Sequence, residues 1–371
     1  MCRALKKNCF LPLLYGLLVP TAWAAPHYEL TNLGAYLPPN IGSVAMAINN
    51  QGQIVVSSAE NSTGANAYLW QANGVIKIGS HQSTFNAIDV NELGQVVGTG
   101  GGLPGFGAYR WDQATGLTFL RPLGSYAGGS ESVAMGINNL GQVAGRTTGV
   151  YEPYGAAWWD VDRSIHALDR WGGLSQANDI NDNGTVVGWR QEWRQGTPWR
   201  TGFVWNETAG FTDIGTFGGE SVAAGITDEG LVYGYSSSID GTSRPFVWTE
   251  AGGLIQLPMP DYSSGHAGGA NNDGQVVGSL IIEGLTRAAL WDGDNFFDLN
   301  SLVNLDLGWT LTQATDINDS GMIVGKASNG TSNYAFLLTP VIQVPEPATY
   351  TIMLAGLGLV SFMARRRKQI S

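Results

Sequence analysis

The sequence predicts an all-β fold, a seven-bladed β-propeller whose N-terminal strand closes the last blade, followed by a C-terminal transmembrane helix. Three observations point there. A turn motif recurs seven times, at Ile48-Asn49-Asn50-Gln51-Gly52, Val90-Asn91-Glu92-Leu93-Gly94, Ile137-Asn138-Asn139-Leu140-Gly141, Ile180-Asn181-Asp182-Asn183-Gly184, Ile226-Thr227-Asp228-Glu229-Gly230, Ala270-Asn271-Asn272-Asp273-Gly274 and Ile317-Asn318-Asp319-Ser320-Gly321. Its glycines are 42, 47, 43, 46, 44 and 47 residues apart, a period that signals radially arranged or stacked supersecondary units. The ends of the repeat region are also complementary, one lacking a strand and the other holding a spare.

Each repeat has four parts. Part a is rich in small residues and ends at the Ile-Asn step, as in Ser132–Ile137. Part b follows the turn glycine and often reads Gln-Val-Val-Gly. Part c ends in an aromatic pair such as Tyr109-Arg110-Trp111 or Phe203-Val204-Trp205, whose first and third residues share one strand face. Part d is short, as in Phe211–Gly215. Asn and Asp tolerate the backbone of tight turns and glycine supplies positive φ, so the segments between β-branched runs read as hairpins. Four short strands repeated radially make a propeller blade. An open β-solenoid is the alternative.

The seventh repeat runs through part c at Ala335–Leu338 into Pro340 and lacks part d. Tyr28–Gly34 reads as a spare part d. Placed beside the last part c, it would seal the first blade to the seventh and remove an open edge. The Trp residues at one register (Trp70, Trp111, Trp159, Trp205, Trp248 and Trp291) read as inter-blade core.

The chain has 371 residues, 13% of them charged, with 52 glycines. Seven of its 19 basic residues lie in the two ends, leaving 12 basic against 30 acidic residues between them. Such a body repels nucleic-acid phosphate. Both cysteines, Cys2 and Cys9, fall at the start, so the body has no disulfide and no thiolate metal site.

In order along the chain, residues 1–24 read as a secretory signal. Arg3, Lys6 and Lys7 precede an apolar run from Phe10 to Val19, and Ala22-Trp23-Ala24 offers a cleavage site. Residues 25–340 hold the repeats, and 341–348 form a proline-marked linker. Residues 349–364 are free of charge and read as a short membrane helix. Residues 365–371, with Arg365, Arg366, Arg367 and Lys368, read as a basic stop-transfer tail on the cytoplasmic side.

Val344-Pro345-Glu346-Pro347, an apolar segment and an arginine-rich end closely resemble the PEP-CTERM sorting signal of Gram-negative bacteria. The resemblance implies recognition at Pro345, Glu346 and Pro347 by an exosortase-type membrane transpeptidase. Transient anchoring in the inner membrane, then release to the cell surface or extracellular matrix, would follow. The repeats resemble the HAF family of extracellular repeats, whose function is loosely defined.

Few motifs suggest chemistry. Asp179-x-Asn181-x-Asn183-Gly184 opens like a calcium loop, but the position six after the glycine is Arg190 where a bidentate acid is needed. Asp316-x-Asn318-x-Ser320-Gly321 fails likewise at Ala327. Gly100–Gly105 satisfies G-x-G-x-x-G, yet a strand follows where a phosphate site needs a helix. His27, His81, His166 and His266 show no ligand spacing, and no serine sits in a nucleophile elbow. No cofactor, metal or catalytic set is expected.

One stretch breaks the repeat. Trp189, Arg190, Trp193, Arg194, Trp199 and Arg200 form three Trp-Arg pairs in a connection between parts b and c, read as a loop on the variable face. Trp faces stack on sugar rings and Arg pairs with carboxylates, so this is the candidate ligand surface. The leading expectation is a secreted, non-catalytic envelope or matrix protein binding exopolysaccharide. A carbohydrate-active hydrolase or lyase, and a purely structural surface protein, are the alternatives.

Overall fold

The computed structural model describes residues 27–38, 42–60, 64–79, 84–101, 107–124, 130–148, 154–168, 173–194, 196–341 and 357. The signal segment, the sorting motif Pro345-Glu346-Pro347, the apolar segment apart from Leu357, and the basic tail lie outside this set, as do His81 and most of the glycine run after Gly101. Among the described residues no helix is long and apolar enough to cross a membrane.

The strands fall into seven four-stranded antiparallel sheets. Strand β1 (Tyr28–Asn32) precedes the first blade. Blade 1 holds β2 (Gly42–Ile48), β3 (Ile54–Glu60), β4 (Gly64–Gln71) and β5 (Gly74–Ile78). Blade 2 holds β6 (Thr84–Val90), β7 (Val96–Gly101), β8 (Gly107–Asp112) and β9 (Gly116–Leu120). Blade 3 holds β10 (Ser132–Ile137), β11 (Val143–Thr147), β12 (Gly155–Trp159) and β13 (Ile165–Ala167). Blade 4 holds β14 (Ser175–Ile180), β15 (Val186–Arg194), β16 (Thr197–Asn206) and β17 (Gly210–Asp213). Blade 5 holds β18 (Gly218–Ile226), β19 (Val232–Ser238), β20 (Ser243–Thr249) and β21 (Gly253–Gln256). Blade 6 holds β22 (Ser264–Ala270), β23 (Val276–Ile282), β24 (Leu285–Asp292) and β25 (Asn295–Asp298). Blade 7 holds β26 (Thr310–Ile317), β27 (Ile323–Ser328) and β28 (Asn333–Pro340), and its fourth strand is β1.

The closure pairs the strands as expected, in a register that sets Glu29 opposite Thr339, Leu30 opposite Leu338 and Thr31 opposite Leu337. The amide of Val341 donates to the His27 carbonyl at 2.8 Å, which prolongs the ladder by one step. Both ends of the propeller therefore leave on the face that carries the a–b turns, where Pro340 reaches the turn glycine Gly321.

The inner strands explain the small residues of part a. Each has a bulge three residues before its end, and the residue that opens it is alanine in every blade: Ala45, Ala87, Ala134, Ala177, Ala223, Ala267 and Ala314. All seven are buried. The bulge also brings a carbonyl of the inner strand against the glycine of the Val-Val-Gly motif. A Cβ on Gly188 would sit 2.0 Å from the Gln176 oxygen, and one on Gly98 1.9 Å from the Asn86 oxygen. The glycine is thus required by close backbone approach.

The core lies between blades. Trp111, Trp159, Trp248 and Trp291 are buried there, each in its own cluster, while Trp70 and Trp205 are half-buried against two further clusters. Leu338 takes their register in blade 7. Serines at the heads of inner strands pin the preceding blade: Ser132 Oγ accepts from Ala108 N, Ser175 Oγ from Ala156 N and Ser43 Oγ from Ala335 N.

Candidate functional site

The a–b turns do more than reverse the chain. In six of them an Asn side chain caps its own turn, and in blade 5 Thr227 Oγ1 accepts from Leu231 N instead. Asn91 Oδ1 accepts from Leu93 N at 3.1 Å and Gln95 N at 2.9 Å. Its Nδ2 then donates to the carbonyl of the equivalent Asn in the next blade, Asn138, at 2.9 Å. The same link joins Asn49 to Asn91, Asn138 to Asn181, Asn181 to Thr227, Asn271 to Asn318 and Asn318 back to Asn49. One link of the ring is broken, because Thr227 has no amide to offer Asn271. Thr227→Asn is expected to complete the ring and raise stability by about 1 kcal/mol, the net worth of one hydrogen bond, read as an increase in denaturation midpoint.

A second ring lies one residue further on. Asn50 N donates to Glu92, Glu92 N to Asn139, Asn139 N to Asp182, Asp182 N to Asp228, Asn272 N to Asp319 and Asp319 N to Asn50. Amides and carboxylates alternate around the mouth except where Asp182 meets Asp228, since seven positions do not divide into pairs.

A third ring lies deeper, one residue before each inner strand's end: Ala47, Asp89, Gly136, Asp179, Gly225, Gly269 and Asp316. Each aspartate staples two blades. Asp89 accepts from Val90 N and from Ile137 N of the next blade, both at 2.8 Å. Asp179 accepts from Ile180 N and Ile226 N, and Asp316 from Ile317 N and Ile48 N. The neighbour must be small: a Cβ on Gly136 would stand 2.5 Å from an Asp179 carboxylate oxygen. Again the alternation fails once, at Gly225 and Gly269, where no carboxylate reaches the Ala270 amide.

Burial governs these groups. Desolvation raises the Asp179 pKa to about 7 and the Asp316 pKa to about 8, against the pull of the backbone amides, and the neighbouring carboxylates push further up. Asp89 is raised for the same reason. Beside Asp179 stands the phenol of Tyr233, whose hydroxyl occupies the space over Gly225. The other blades carry Val or Ala at this register. Desolvation, then Asp179, holds the Tyr233 pKa well above its ordinary value.

These layers surround an axial cavity of about 500 Å³ that opens between the a–b turns. Asp89, Asp179, Asp316, Tyr233 and Tyr235 line it, with His266 and the rim carboxylates Glu92, Asp182, Asp228 and Asp319; among the described residues no Lys or Arg does. Among the described residues no three His, Cys, Asp or Glu side chains gather closely enough to hold a metal ion.

The Trp-Arg stretch is different from its expected form. It is a β-hairpin, an extension of β15 and β16 paired as far as Arg194 and Thr197, with Gly196 at φ +81° in its tip. Side chains therefore alternate between two faces and the three pairs do not converge. Trp189 is buried in the blade, with the Arg200 guanidinium 4.5 Å from its ring. Arg190 forms ion pairs with Asp213 at 3.0 Å and Glu192 at 3.2 Å. Trp193, opposite Pro198, stands 68% exposed, whereas Trp199, opposite Glu192, lies half-buried on the other face. The Arg194 side chain lies outside the described set. Among the histidines, His166 stacks on Trp158 at 4.1 Å and His266 bonds Ser279, so neither meets another histidine.

From the sequence, Asp179 and Asp316 read only as the openings of failed calcium loops, and Asp89 and Tyr233 were passed over. Their signal is faint: an Asp just before the Ile-Asn step in some repeats, and one aromatic in a column of small aliphatics.

Residues 343–368 match the PEP-CTERM protein-sorting motif. The chain carries this sorting signal. The signal implies export, transient membrane anchoring and processing by an exosortase-type membrane protein. No curated protein matches the chain by sequence. Among solved structures, the puromycin hydrolase S511A mutant complexed with PGG is similar at 14% identity and TM-score 0.57, covering 84% of this chain and 56% of that one. A puromycin-hydrolyzing peptidase of Mycobacterium tuberculosis is similar at 13% identity and TM-score 0.55, covering 82% and 52%. The β-propeller domain of the Trilobed protease from Pyrococcus furiosus is similar at 11% identity and TM-score 0.54, covering 82% and 97%. This chain spans about half the length of the two hydrolases, and at these identities the likeness is one of fold. The archaeal domain is described as having an open velcro topology, whereas β1 closes the ring here.

Proposed function

We propose that the chain is a non-catalytic propeller, exported and then sorted through its C-terminal signal to the cell surface or extracellular matrix, where it binds exopolysaccharide on its variable face. The sorting motif at residues 343–368 carries this reading. The resemblance of the repeats to HAF-type extracellular repeats agrees with it. The exit of both ends on the a–b face supports it, because the opposite face, with exposed Trp193, Ile239 and Tyr262, is then free of the tether. Loops on a rigid scaffold are where binding concentrates.

The rival reading, a carbohydrate-active hydrolase or lyase, draws on the three channel carboxylates. Each of them spends both oxygens on backbone amides, which favours a structural role.

Mass spectrometry of the mature protein is expected to find a C-terminus near Pro347 and no Arg365–Ser371. Pro345→Ala with Glu346→Ala is expected to leave the full tail in the membrane fraction. An intact tail in the mature wild-type protein would replace sorting by permanent anchoring.

A further inference from the structure

We infer that a groove between blades 3 and 4, on the a–b face, binds a neutral saccharide. It lies apart from the variable face and does not rest on what that face binds.

The first observation is a gap that the preceding junction fills. Between blades 2 and 3, Arg110 crosses the junction, donating to the Gly141 carbonyl at 2.7 Å and the Val161 carbonyl at 3.1 Å. Its guanidinium stands over the turn glycine, 3.3 Å from where a Cβ on Gly141 would lie. Between blades 3 and 4, Trp158 holds the register of Arg110. Among the described residues its indole nitrogen bonds nothing, so no such crossing is made. Nothing stands within 4 Å of a Cβ placed on the turn glycine Gly184. A cavity of about 490 Å³ is left, lined by Leu140 and Trp158 of blade 3 and by Trp205 and both turns of blade 4. Small-molecule pockets are of this size.

The second observation is the chemistry of the walls. At the register of Trp158 the other blades carry Leu69, Arg110, Val204, Val247, Leu290 and Leu337, so this indole is the one aromatic in its column. His166 stacks on it at 4.1 Å and 12°, which fixes the plane of the ring. Trp205 stays half-buried where Trp111, Trp159, Trp248 and Trp291 are buried. Two half-buried indoles thus line one cavity, with the amide, hydroxyl and carboxylate groups of Gln142, Thr185, Glu207 and Thr208 beside them. An indole face packs on ring C–H groups, and these polar side chains exchange hydrogen bonds with hydroxyls. A sugar ring carries both kinds of surface. Charge narrows the class. Asp182 and Glu207 line the groove and, among the described residues, no Lys or Arg does. A uronate, sulfate or phosphate would meet like charge there with no compensating cation.

Isothermal titration of the full chain in a sugar-free detergent tests this. Cellotetraose and maltotetraose are the neutral probes, trigalacturonate the anionic arm and a proline-rich decapeptide the peptide arm. At least one neutral probe is expected to bind, and trigalacturonate about tenfold more weakly. Trp158→Leu installs the residue of blades 1, 6 and 7 and is expected to weaken binding about tenfold. Glu207→Ala, on an exposed turn, is expected to weaken it about fivefold, as the loss of one hydrogen bond should. Trp193→Ala, on the opposite face, is expected to leave it unchanged. No binding of either neutral probe overturns the inference. So does binding that Trp158→Leu and Glu207→Ala both leave untouched. Binding abolished by Trp193→Ala alone would place the sugar on the variable face, sinking the groove while upholding the function proposed above. Trigalacturonate binding as tightly as the neutral probes overturns the neutral class. Decapeptide binding tighter than that of the sugars, and lost in the same variants, overturns the choice of a saccharide.

Discussion

Deleting Tyr28–Asn32 is expected to unfold the propeller as a whole. These five residues form the outer strand of blade 7, so their removal strips β28 of its outer partner at every register position from Phe336 to Pro340 and leaves it only β27. Tyr28 is buried and belongs to the largest hydrophobic cluster, with Leu299, Leu302, Phe336 and Leu338, and Leu30 packs against it. Truncating one large buried ring costs about 3–5 kcal/mol. Adding the lost ladder and the uncovered Leu338 brings the total to about the whole stability of an ordinary domain. A trimmed chain should lose its cooperative denaturation transition and be cut rapidly by protease. Removing the outer strand β13 of blade 3, only Ile165–Ala167 and half-buried to exposed, should cost far less. The contrast separates closure of the ring from the loss of any edge strand.

The second large effect concerns the stapling aspartates. Asp316→Ala leaves the amides of Ile48 and Ile317 without acceptors at the junction of blades 7 and 1. Unpaired buried donors cost about 1–3 kcal/mol each, so a loss of about 2–6 kcal/mol is expected in chemical denaturation. These carboxyls also make stability depend on pH. Their folded pKa values, about 7 for Asp179 and about 8 for Asp316, lie above the ordinary value of 3.8. The folded state then holds protons that the unfolded state has already released. Their contribution is fully present below pH 3.8 and is lost as pH rises through 7 and 8. The melting temperature should therefore fall across that window. In Asp179→Asn/Asp316→Asn, the part of the fall due to these two groups should vanish. A double variant with the wild-type slope would show that the carboxyls titrate normally.

Much of the architecture was legible because it is encoded locally. The Asn-x-x-Gly turns fix where hairpins reverse, and the spare strand at Tyr28 is as visible as the missing one after Pro340. What escaped was encoded across blades. The amide of Asn91 meets the Asn138 carbonyl only once the ring has closed, and no spacing in the sequence announces it. The alternation of Asp with Gly or Ala in the third ring has the same origin, since each residue answers to a neighbour more than forty positions away. The Trp-Arg stretch misled for a local reason. Between Trp189 and Arg200 there is little β-branched sequence and there is a proline, so it reads as loop. The ladder of β15 and β16 nevertheless runs on into it, and strand alternation then buries Trp189 and turns Trp193 out.

Closure by the chain's own beginning can be trapped covalently. Both native cysteines precede the propeller, so Glu29→Cys/Thr339→Cys introduces a single pair into a thiol-free body. The two positions face each other in the β1–β28 ladder, where directly opposed residues stand about 4.5–5.5 Å apart, within the span a disulfide bridges. After mild oxidation of the exported protein, the expected result is near-complete disulfide formation with unchanged circular dichroism, while Glu29→Cys/Thr331→Cys stays reduced. Free thiols at positions 29 and 339 in a folded, monomeric protein would mean that the ring is not closed by its first strand.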